Sequence, residues 1–395
     1  MPPAAGSSEP LQSFRIHWLS VPERRRQQKR YPGKRTGVFS SCRRQRSEMR
    51  KAMKKVTIQD IADALGVSRN TVSKAINNSD GLAEATREKI LQKAVEMGYK
   101  QFSYFQAFSA NTNRISGSAG FQGEIALLTS KFLNQSHFAS LMLDKFQREI
   151  SQLGYTLNTH RVSSDELARG VLPPTFSTER TSGILCIEMF DFKYDEMLCS
   201  LGLPILFVDG PVKSWGRSLP ADQLYMENTD CVISFVVEML SRGYKRIGFI
   251  GNPRHCHSFF ERYSAFRTAM LMEGYPVRNE DIVMANDREQ MEQQLAGMKS
   301  LPDLYVCAND FVALDAIRAL EALGKSVPGD VMLCGFDDSA ESRTSRPPLT
   351  TCHIHTQTMA FSAVQLLLTR MQEPSLDYRI VHTQTDLIYR ASTEK

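Results

Sequence analysis

The fold of the N-terminal part of the chain is decided by residues 56–77, which read VTIQDIADALGVSRNTVSKAIN. The first half of this stretch repeats apolar side chains at the spacing of one helical face, and these are Ile58, Ile61, Ala62 and Leu65. Gly66 follows at once, where the end of a helix favours the left-handed backbone that glycine adopts without steric cost. Ser68 is a candidate N-cap for a second helix. The pattern predicts two short helices around a tight turn.

The second predicted helix has a small apolar face and a polar remainder. The apolar face consists of Val72, Ala75 and Ile76. The polar side chains are Arg69, Asn70, Ser73, Lys74 and Asn77. This arrangement is typical of a helix-turn-helix, whose second helix enters the major groove of DNA. A small helical hairpin with a solvated face is the alternative interpretation.

These residues closely resemble the DNA-binding headpiece of the LacI/GalR family of bacterial transcriptional regulators. The family pattern reads VTIxDIAxxxGVSxxTVSxxxN, followed by TRxKIxxxAxxxGY, and here the second part is TREKILQKAVEMGY at residues 86–99. Many matches at fixed spacing make the resemblance specific. It implies a three-helix headpiece over residues 54–100 and a homodimer that binds palindromic operator DNA, most often as a repressor.

The resemblance also implies roles for individual headpiece residues. Arg69, Asn70 and Lys74 match the family's base-reading positions, where Arg suits guanine and Asn suits adenine. Each good bidentate pair contributes ~1–3 kcal/mol of discrimination between bases. The residues expected to position the phosphate backbone are Thr57, Ser68, Thr71, Ser73 and Asn77. In the alternative interpretation, any one of the three base readers contacts phosphate only.

The net charge of +5 is unevenly distributed along the chain. Residues 1–53 hold 13 Lys and Arg against 3 Asp and Glu, residues 54–100 hold 8 against 6, and the remainder holds 27 against 34. The basic end is the natural end for contact with nucleic acid.

Residues 1–53 are rich in Arg, Ser, Pro and Gln without periodicity, so we expect a disordered basic extension. Three interpretations stay open: an arm that adds phosphate contacts, a targeting peptide, or a segment that is not translated. We favour the third, because Met53-Lys54-Lys55-Val56 resembles a normal family start.

Residues 101–123 are the expected hinge and linker, and here the family pattern is weakest. In the family this segment contains Pro, Asn and Arg, folds on operator binding and wedges Leu side chains into the minor groove. Here residues 101–108 read QFSYFQAF. Phe108 stands at the wedge position, and Phe is an effective wedge between base steps. In the alternative interpretation, the aromatic cluster packs on the neighbouring protomer without touching DNA.

Residues 124–395 alternate strand-like and helix-like segments, which predicts doubly wound parallel α/β sheets. Strand-like runs cover 124–129, 155–159, 183–187, 205–208, 246–250, 304–307 and 331–335, and amphipathic helices cover 140–153, 230–242, 262–273 and 311–323. Because this segment is too long to fold around one α/β core, we expect two lobes.

The resemblance implies the same fold, a two-lobed effector-binding and dimerisation domain related to periplasmic binding proteins. The matching segments read LPILFVD at 203–209, GYKRIGFI at 243–250, CAND at 307–310, VPGDV at 327–331, GFDD at 335–338, PPLTT at 347–351 and RAST at 390–393. In this fold we expect the chain to cross between the lobes near residues 222, 352 and 375.

The effector is expected between the lobes, at the carboxyl ends of strands, as in other open α/β sheets. Positions that match the family's effector-binding residues are His137, Phe138, Asp209, Arg262, Asn309 and Asp337. Carboxylate and amide groups accept hydrogen bonds from sugar hydroxyls, Arg donates bidentately, and an aromatic ring stacks on a sugar face. We therefore expect a small-molecule effector that is a carbohydrate. A loop cap or a lobe–lobe pair is the alternative role for Asp209 and Asp337.

Other functional classes have less support. The sequence shows no nucleophile elbow, Walker loop or dinucleotide fingerprint, so we expect neither an enzyme nor a cofactor. A sugar-acting enzyme and an unregulated solute-binding protein are the alternatives. The runs His255-Cys256-His257 and Cys352-His353-Ile354-His355 lack the spacing of a structural metal site. We expect no metal.

The sequence also supports expectations about location and assembly. It has no apolar run of about 18 residues, no secretory signal, and eight cysteines without CxxC pairing. These features predict a cytoplasmic protein without membrane contact. The chain stops just after the RAST segment without a heptad tail, which predicts a dimer without a coiled-coil tetramer.

Overall fold

The computed structural model describes residues 56–76, 83, 86, 89–90, 93–94, 97, 121–131, 137–212, 217–285 and 287–394. The chain divides into two compact units, Met1–Gln106 and Ala107–Lys395. The expected extension over 1–53 and most of the expected hinge over 101–123 lie outside the described residues. So do two of the expected DNA contacts, Asn77 and Phe108.

The first unit contains α1 (Ile58–Leu65) and α2 (Arg69–Ile76). Thr57 and Asp60 begin α1 through a capping box, in which each side chain accepts a hydrogen bond from the other residue's backbone N–H. Gly66 ends α1 in the left-handed conformation, with φ of 64°. Ser68 Oγ accepts a hydrogen bond from the Thr71 N–H at 3.0 Å. The predicted glycine turn and serine cap are both confirmed.

A small apolar core holds this unit together. Its buried members are Ile61, Ala62, Val72, Ala75, Ile90 and Ala94. Ile90 and Ala94 are helical residues of the third predicted helix. Because the apolar faces of α1 and α2 are turned towards this core, Arg69, Asn70 and Lys74 are left exposed on α2.

The second unit has twelve strands and nine helices among its described residues. In chain order they are β1 (Gly123–Thr129), α3 (His137–Gln152), β2 (Tyr155–Arg161), α4 (Ser164–Arg169), β3 (Thr181–Ile187), α5 (Phe192–Cys199), β4 (Ile205–Val208), β5 (Asp222–Met226), α6 (Asp230–Ser241), β6 (Ile247–Ile250), α7 (His257–Met272), β7 (Ile282–Val283), α8 (Arg288–Ala296), β8 (Leu304–Cys307), α9 (Asp310–Ala322), β9 (Met332–Cys334), α10 (Ala340–Thr344), β10 (Thr351–Ile354), α11 (Thr356–Gln372), β11 (Ile380–Thr383) and β12 (Thr385–Ile388). Two short 3₁₀ helices cover Asn279–Asp281 and Ala391–Thr393.

These strands build two parallel sheets and a two-stranded ribbon. The first sheet, which we call the N-lobe sheet, has the order β11-β5-β4-β3-β1-β2, and the C-lobe sheet has the order β7-β6-β8-β9. All pairings within both sheets are parallel. Strands β10 and β12 pair antiparallel. In each sheet the strand order reverses once, between β1 and β3 and between β6 and β8. The predicted two-lobed, doubly wound fold is therefore confirmed.

Each sheet is covered by helices on both faces, as buried parallel strands require. In the N-lobe, alternate residues of the same strand enter different cores. Leu127 packs in one core with residues of α3 and α11. Leu128 packs in the other with residues of α5. In the C-lobe, Phe249 packs in the core that includes α6 and α7, and Ile250 packs in the core that includes α8 and α9.

The chain crosses between the lobes three times, and the crossings lie side by side. They fall at residues 227–229, 355 and 384. The Glu227 N–H donates to the Thr383 carbonyl at 2.7 Å, and Thr385 Oγ1 donates to the Glu227 carbonyl at 2.9 Å. The positions expected near 222 and 375 were therefore wrong, because β5 and β11 add two strands to the N-lobe sheet before the chain crosses.

Two local predictions also need correction. Arg262 does not open its helix, since α7 begins five residues earlier, at His257. The same finding places His257, which precedes the predicted helix of residues 262–273, in the first turn of α7. The β10–β12 ribbon was only partly expected, because its short mixed-polarity strands show little periodicity in the sequence.

Among the described helices, none combines the length with the apolar character that a membrane span requires. The seven cysteines that the structure describes are all unpaired.

Asp195 on α5 is an unusual feature of the N-lobe core. Its side chain is fully buried, and neither carboxyl oxygen has a hydrogen-bond partner. Burial, with a smaller contribution from Asp191, raises the pKa of Asp195 to about 8. The folded protein therefore holds a proton here between about pH 4 and pH 8 that the unfolded chain releases.

We predict that Asp195 makes the protein less stable as the pH rises through this window. The expected slope is roughly 1.4 kcal/mol of unfolding free energy for each pH unit. Asp195→Leu should remove that slope and raise stability at pH 8, because it replaces an unpartnered carboxyl by an apolar side chain. Urea unfolding at pH 5 and pH 8 measures the effect. The exposed Asp165→Asn is the control, and an equal slope in wild type and Asp195→Leu would contradict the prediction.

Candidate DNA-binding helix and ligand cleft

Helix α2 presents a basic surface without acidic residues. Arg69, Asn70 and Lys74 are exposed, and Thr71 and Ser73 are partly exposed. Arg69 and Asn70 lie in the first turn, and Lys74 lies about one turn further along. These are the positions from which a helix lying in the major groove reaches base edges.

The two hydroxyl residues ahead of the predicted base readers already have structural roles. Thr57 Oγ1 and Asp60 Oδ2 are 2.6 Å apart in the α1 capping box. Ser68 Oγ and Thr71 Oγ1 are 2.7 Å apart at the start of α2. Both capped helix ends are exposed. Phosphate contact by these hydroxyls stays a prediction, because each hydroxyl already bonds within its own helix cap.

The expected effector residues of the second unit lie where the two sheets end. Asp209 directly follows β4, Asn309 lies two residues after β8, and Asp337 lies three residues after β9. Strands β1 and β3 in one sheet, and β6 and β8 in the other, are the points at which the strand order reverses. Ligands of open α/β sheets bind at such points. We call the region between these strand ends the cleft.

Backbone strain is concentrated at the same strand ends. In the described part of the chain, the residues other than glycine with positive φ are Glu188, Asp209, Asp337 and Asp338. Glu188 follows β3, and the others follow β4 and β9. Such conformations tend to cluster at binding sites, because the surrounding structure has to hold them in place.

Arg262 is the centre of the cleft. Its side chain is 2% exposed, and its guanidinium contacts three different segments. Nε donates to Asn228 Oδ1 at 2.9 Å, and Nη1 donates to the Ala308 carbonyl at 2.7 Å. Asp337 Oδ1 lies 3.8 Å from Nη1. The guanidinium also stacks on Phe336, with its carbon 3.6 Å from the ring centre. Arg262 is thus fixed in place, with donors left to offer a ligand.

Asp209 joins the two lobes. Its Oδ1 accepts hydrogen bonds from the Gly210 N–H at 2.8 Å and from the Ser258 N–H at 3.2 Å. Since Ser258 lies in the first turn of α7, the carboxylate also sits at the positive end of that helix. The lobe–lobe role left open by the sequence is therefore present, and ligand binding stays a prediction for this residue.

Burial governs the ionisation of both expected cleft carboxylates. It raises the pKa of Asp209, although the hydrogen bond from Gly210 and the charge of Arg262 oppose the shift. It raises the pKa of Asp337 well above its ordinary value, again against the effect of Arg262. A ligand that brings further hydrogen-bond donors would stabilise either carboxylate.

The other three expected effector residues are less central. Asn309 is the N-cap of α9, and its Oδ1 accepts a hydrogen bond from the Val312 N–H at 2.9 Å. His137 is the first residue of α3, and its side chain lies outside the described part of the structure. Phe138 is partly buried and packs against the main hydrophobic core. The structure thus groups Asp209, Arg262 and Asp337, with Asn309 next to the Ala308 carbonyl.

The structure adds Asn228, which the sequence did not single out. It is fully buried and lies in the first crossing between the lobes. Besides accepting from Arg262, it donates through Nδ2 to Glu261 Oε2 at 2.9 Å and to Ser258 Oγ at 3.3 Å. Burial alone would raise the pKa of Glu261, but hydrogen bonds from His257 and Asn228 outweigh it and lower the pKa. Asn228 therefore connects Arg262 to the first crossing between the lobes.

A second group at the cleft was also missed. Lys131 follows β1 and reaches His255, with 3.3 Å between Lys131 Nζ and His255 Nε2. Phe190 and Phe259 lie beside His255, with ring centres 5.3 Å and 5.1 Å from its own. The only available signal was that each residue follows or precedes a predicted element by a few positions. Among the described residues, no group of His, Cys, Asp or Glu side chains is placed to hold a metal ion.

Two family models match the chain. The model described as "Bacterial regulatory proteins, lacI family" matches residues 57–101. The model described as "Periplasmic binding protein-like domain" matches residues 236–393. The first covers α1 and α2, and the second covers most of the C-lobe, α11 and the last two crossings.

Similar proteins align along almost their whole length. The HTH-type transcriptional repressor PurR of Photobacterium profundum is 24% identical over 345 residues, which is 86% of this chain and 98% of the relative. The solved complex of the transcriptional regulator CelR with cellobiose is 22% identical, with a TM-score of 0.60, and the match covers 85% of this chain and 99% of that chain. The lac repressor dimer bound to operator and the anti-inducer ONPF is 22% identical, with a TM-score of 0.55 and coverage of 86% and 99%.

We predict that Asn228→Ala lowers the free energy of unfolding by about 1–3 kcal/mol, because it leaves Arg262 Nε and Glu261 Oε2 buried without their partner. Urea unfolding at pH 7 measures the loss. Asn158→Ala, an exposed position on β2, is the control and should change stability little. A loss no larger than that of the control would show that Asn228 does not hold Arg262.

Proposed function

Because this chain belongs to the LacI family of bacterial regulatory proteins, we propose that it is a transcriptional repressor that binds operator DNA sequence-specifically. A small molecule, a carbohydrate, binds between the two lobes and controls the affinity for DNA. One observation carries the proposal. A single chain joins a helix-turn-helix, whose second helix is basic and exposed, to a two-lobed domain with polar and charged side chains at the carboxyl ends of its parallel strands.

The proposed DNA contacts are those of the headpiece. Arg69, Asn70 and Lys74 read base edges in the major groove. Phosphate contacts come from Thr57, Ser68, Thr71, Ser73 and Asn77, and Phe108 is the proposed minor-groove wedge. A homodimer presents two such headpieces to a palindromic operator, because a two-fold protein matches a two-fold site.

The proposed effector contacts are His137, Phe138, Asp209, Arg262, Asn309 and Asp337. Arg262 supports this assignment most directly, since it is buried at the cleft and bonded to Asn228 in the first crossing. A ligand that bonds Arg262 would change the free energy of lobe closure. Couplings of this kind typically change affinity at the second site by ~1–3 kcal/mol.

Two alternatives are not retained. The matched relatives are transcriptional regulators, so a sugar-acting enzyme is not supported. An unregulated solute-binding protein would not need the capped helix-turn-helix of residues 57–76. We place the protein in the cytoplasm, where bacterial DNA is accessible and where unpaired cysteines are the rule.

We predict that Arg69→Ala and Lys74→Ala reduce DNA selectivity. A duplex selected from a random-sequence pool with the wild-type protein serves as the specific target, and a scrambled duplex of equal length serves as the reference. Each variant should lose ~1–3 kcal/mol of binding free energy on the selected duplex, with a smaller loss on the scrambled one. Fluorescence anisotropy at fixed salt measures both. Lys89→Ala, an exposed charge outside α2, is the control. Equal losses on the two duplexes would argue against base reading.

We predict that a sugar raises the melting temperature of the full chain and that Arg262→Lys abolishes the rise. Binding to the folded state alone stabilises it by mass action, and Lys cannot reproduce the bonds of the guanidinium. A thermal-shift screen of sugars measures this. Arg267→Lys, an exposed position on the same helix, is the control. A shift that persists in a folded Arg262→Lys variant would place the ligand elsewhere.

A further inference from the structure

Lys131 brings a positive charge to the mouth of the cleft. It lies two residues after β1, and the preceding Ser130 is held by a hydrogen bond from its Oγ to the Glu188 carbonyl at 2.5 Å. The ammonium points across the cleft to His255, between β6 and α7 in the C-lobe. It also lies 5.7 Å from the ring centre of Phe190. Lys131 therefore belongs to the N-lobe but contacts both lobes.

Among the residues that the structure describes, no carboxylate lies within 4.0 Å of this ammonium. Its polar partner across the cleft is an imidazole, and burial, reinforced by the charge of Lys131, lowers the pKa of His255 to about 4. His255 is therefore neutral at physiological pH and accepts a hydrogen bond from the ammonium.

The positive charge of Arg262 has a carboxylate near it, and the charge of Lys131 does not have one within ion-pair distance. Arg262 faces the carboxylate of Asp337 and two further hydrogen-bond acceptors. Lys131 is partly buried against the ring of Phe190 and one neutral nitrogen of His255. A charge withdrawn from water is costly unless a partner of opposite sign compensates it. No carboxylate of the described residues lies close enough to Lys131 to form that ion pair.

We propose that the effector carries an anionic group, a carboxylate or a phosphate, that binds Lys131 beside His255 and Phe190. The inference rests on the proposed function, because it concerns the same cleft. The proposed ligand has two ends that bind different parts of the cleft. The anionic group lies at Lys131 near the ends of β1 and β6, and the hydroxyl groups face Asp209, Arg262 and Asp337. The aromatic rings of Phe190 and Phe259 cover the apolar face of the sugar between them.

The test compares neutral sugars with their anionic derivatives. Isothermal titration of the full chain uses sets of three: glucose, glucuronate and glucose 6-phosphate; galactose, galacturonate and galactose 6-phosphate; and ribose, ribonate and ribose 5-phosphate. An anionic member of one set should bind at least tenfold more tightly than its neutral parent. Lys131→Met should remove that preference, and Lys131→Arg should restore most of it. The carboxylate and phosphate arms identify which anion is bound.

A matched control comes from the same lobe. Lys145 on α3 already has a partner, since its Nζ lies 2.5 Å from Glu149 Oε1. Lys145→Met should leave the anion preference unchanged. In the absence of ligand, Lys131→Met should raise the melting temperature of the protein, because it removes an uncompensated charge. A fall would show that the ammonium stabilises the folded state by itself and would contradict the proposal.

Failure of this inference can be separated from failure of the proposed function. An anionic sugar that binds wild type no more tightly than its neutral parent does, while Arg262→Lys abolishes the binding of both, would overturn the anionic class and leave the pocket in place. Binding that survives Arg262→Lys would overturn the pocket itself. Absence of measurable heat with every anionic sugar of the three sets would also count against the proposal.

Discussion

The buried guanidinium of Arg262 has to find its hydrogen-bond acceptors and its counter-charge inside the protein. The arrangement of the cleft depends on where those partners lie. Its partners are Asn228 from a lobe crossing, the Ala308 carbonyl from the C-lobe sheet and the carboxylate of Asp337. Truncating the side chain of Asn228 or Asp337 would leave a buried donor or charge of Arg262 without its partner, at a cost of a few kcal/mol. The segments that follow β8 and β9, the first crossing and α7 are therefore linked through a single side chain.

The two sheets explain why the polar groups gather there. Each sheet reverses its strand order once, and neighbouring loops diverge at such a reversal. Asp209, Asn309 and Asp337 lie at the same edge because each follows the carboxyl end of a parallel strand. Two of them, Asp209 and Asp337, do so with positive φ, a conformation that residues with a side chain seldom adopt. The same edge of the second unit thus holds the strained residues, the buried charges and the lobe crossings.

Much of this arrangement could be predicted from the sequence, and the failures have a clear physical origin. Residues 56–77 contain their own caps and periodicity, so the helix-turn-helix and its exposed face followed from local pattern. Strands β1, β3, β4, β6, β8 and β9 were equally clear as apolar runs. Strands β5 and β11 were missed, because DQLYM and IVHT mix polar and apolar residues and acquire their conformation by pairing with each other.

The roles of individual cleft residues depended on distant partners. The bond between Arg262 and Asn228 joins positions 34 apart in the sequence, and that between Lys131 and His255 joins positions 124 apart. No local pattern records either contact. Family resemblance pointed to Arg262 and Asp209. The resemblance did not identify Asn228 or Lys131, whose importance becomes visible only when the crossings and the strand ends are seen together.

The three crossings restrict how the lobes can move. The first and third crossings run side by side, because Glu227 is hydrogen-bonded to Thr383 and Thr385. The crossing at residue 355 lies next to the third, since Ile354 of β10 pairs with Thr385 of β12. Three connections gathered at one place permit rotation of one lobe against the other about that place and resist sliding or twisting of the lobes. Ligands of different shape would then act through one structural quantity, the angle between the two lobes. An activating ligand and an opposing ligand would then differ only in the angle at which each one holds the two lobes. Such a regulator needs no separate mechanism to distinguish them.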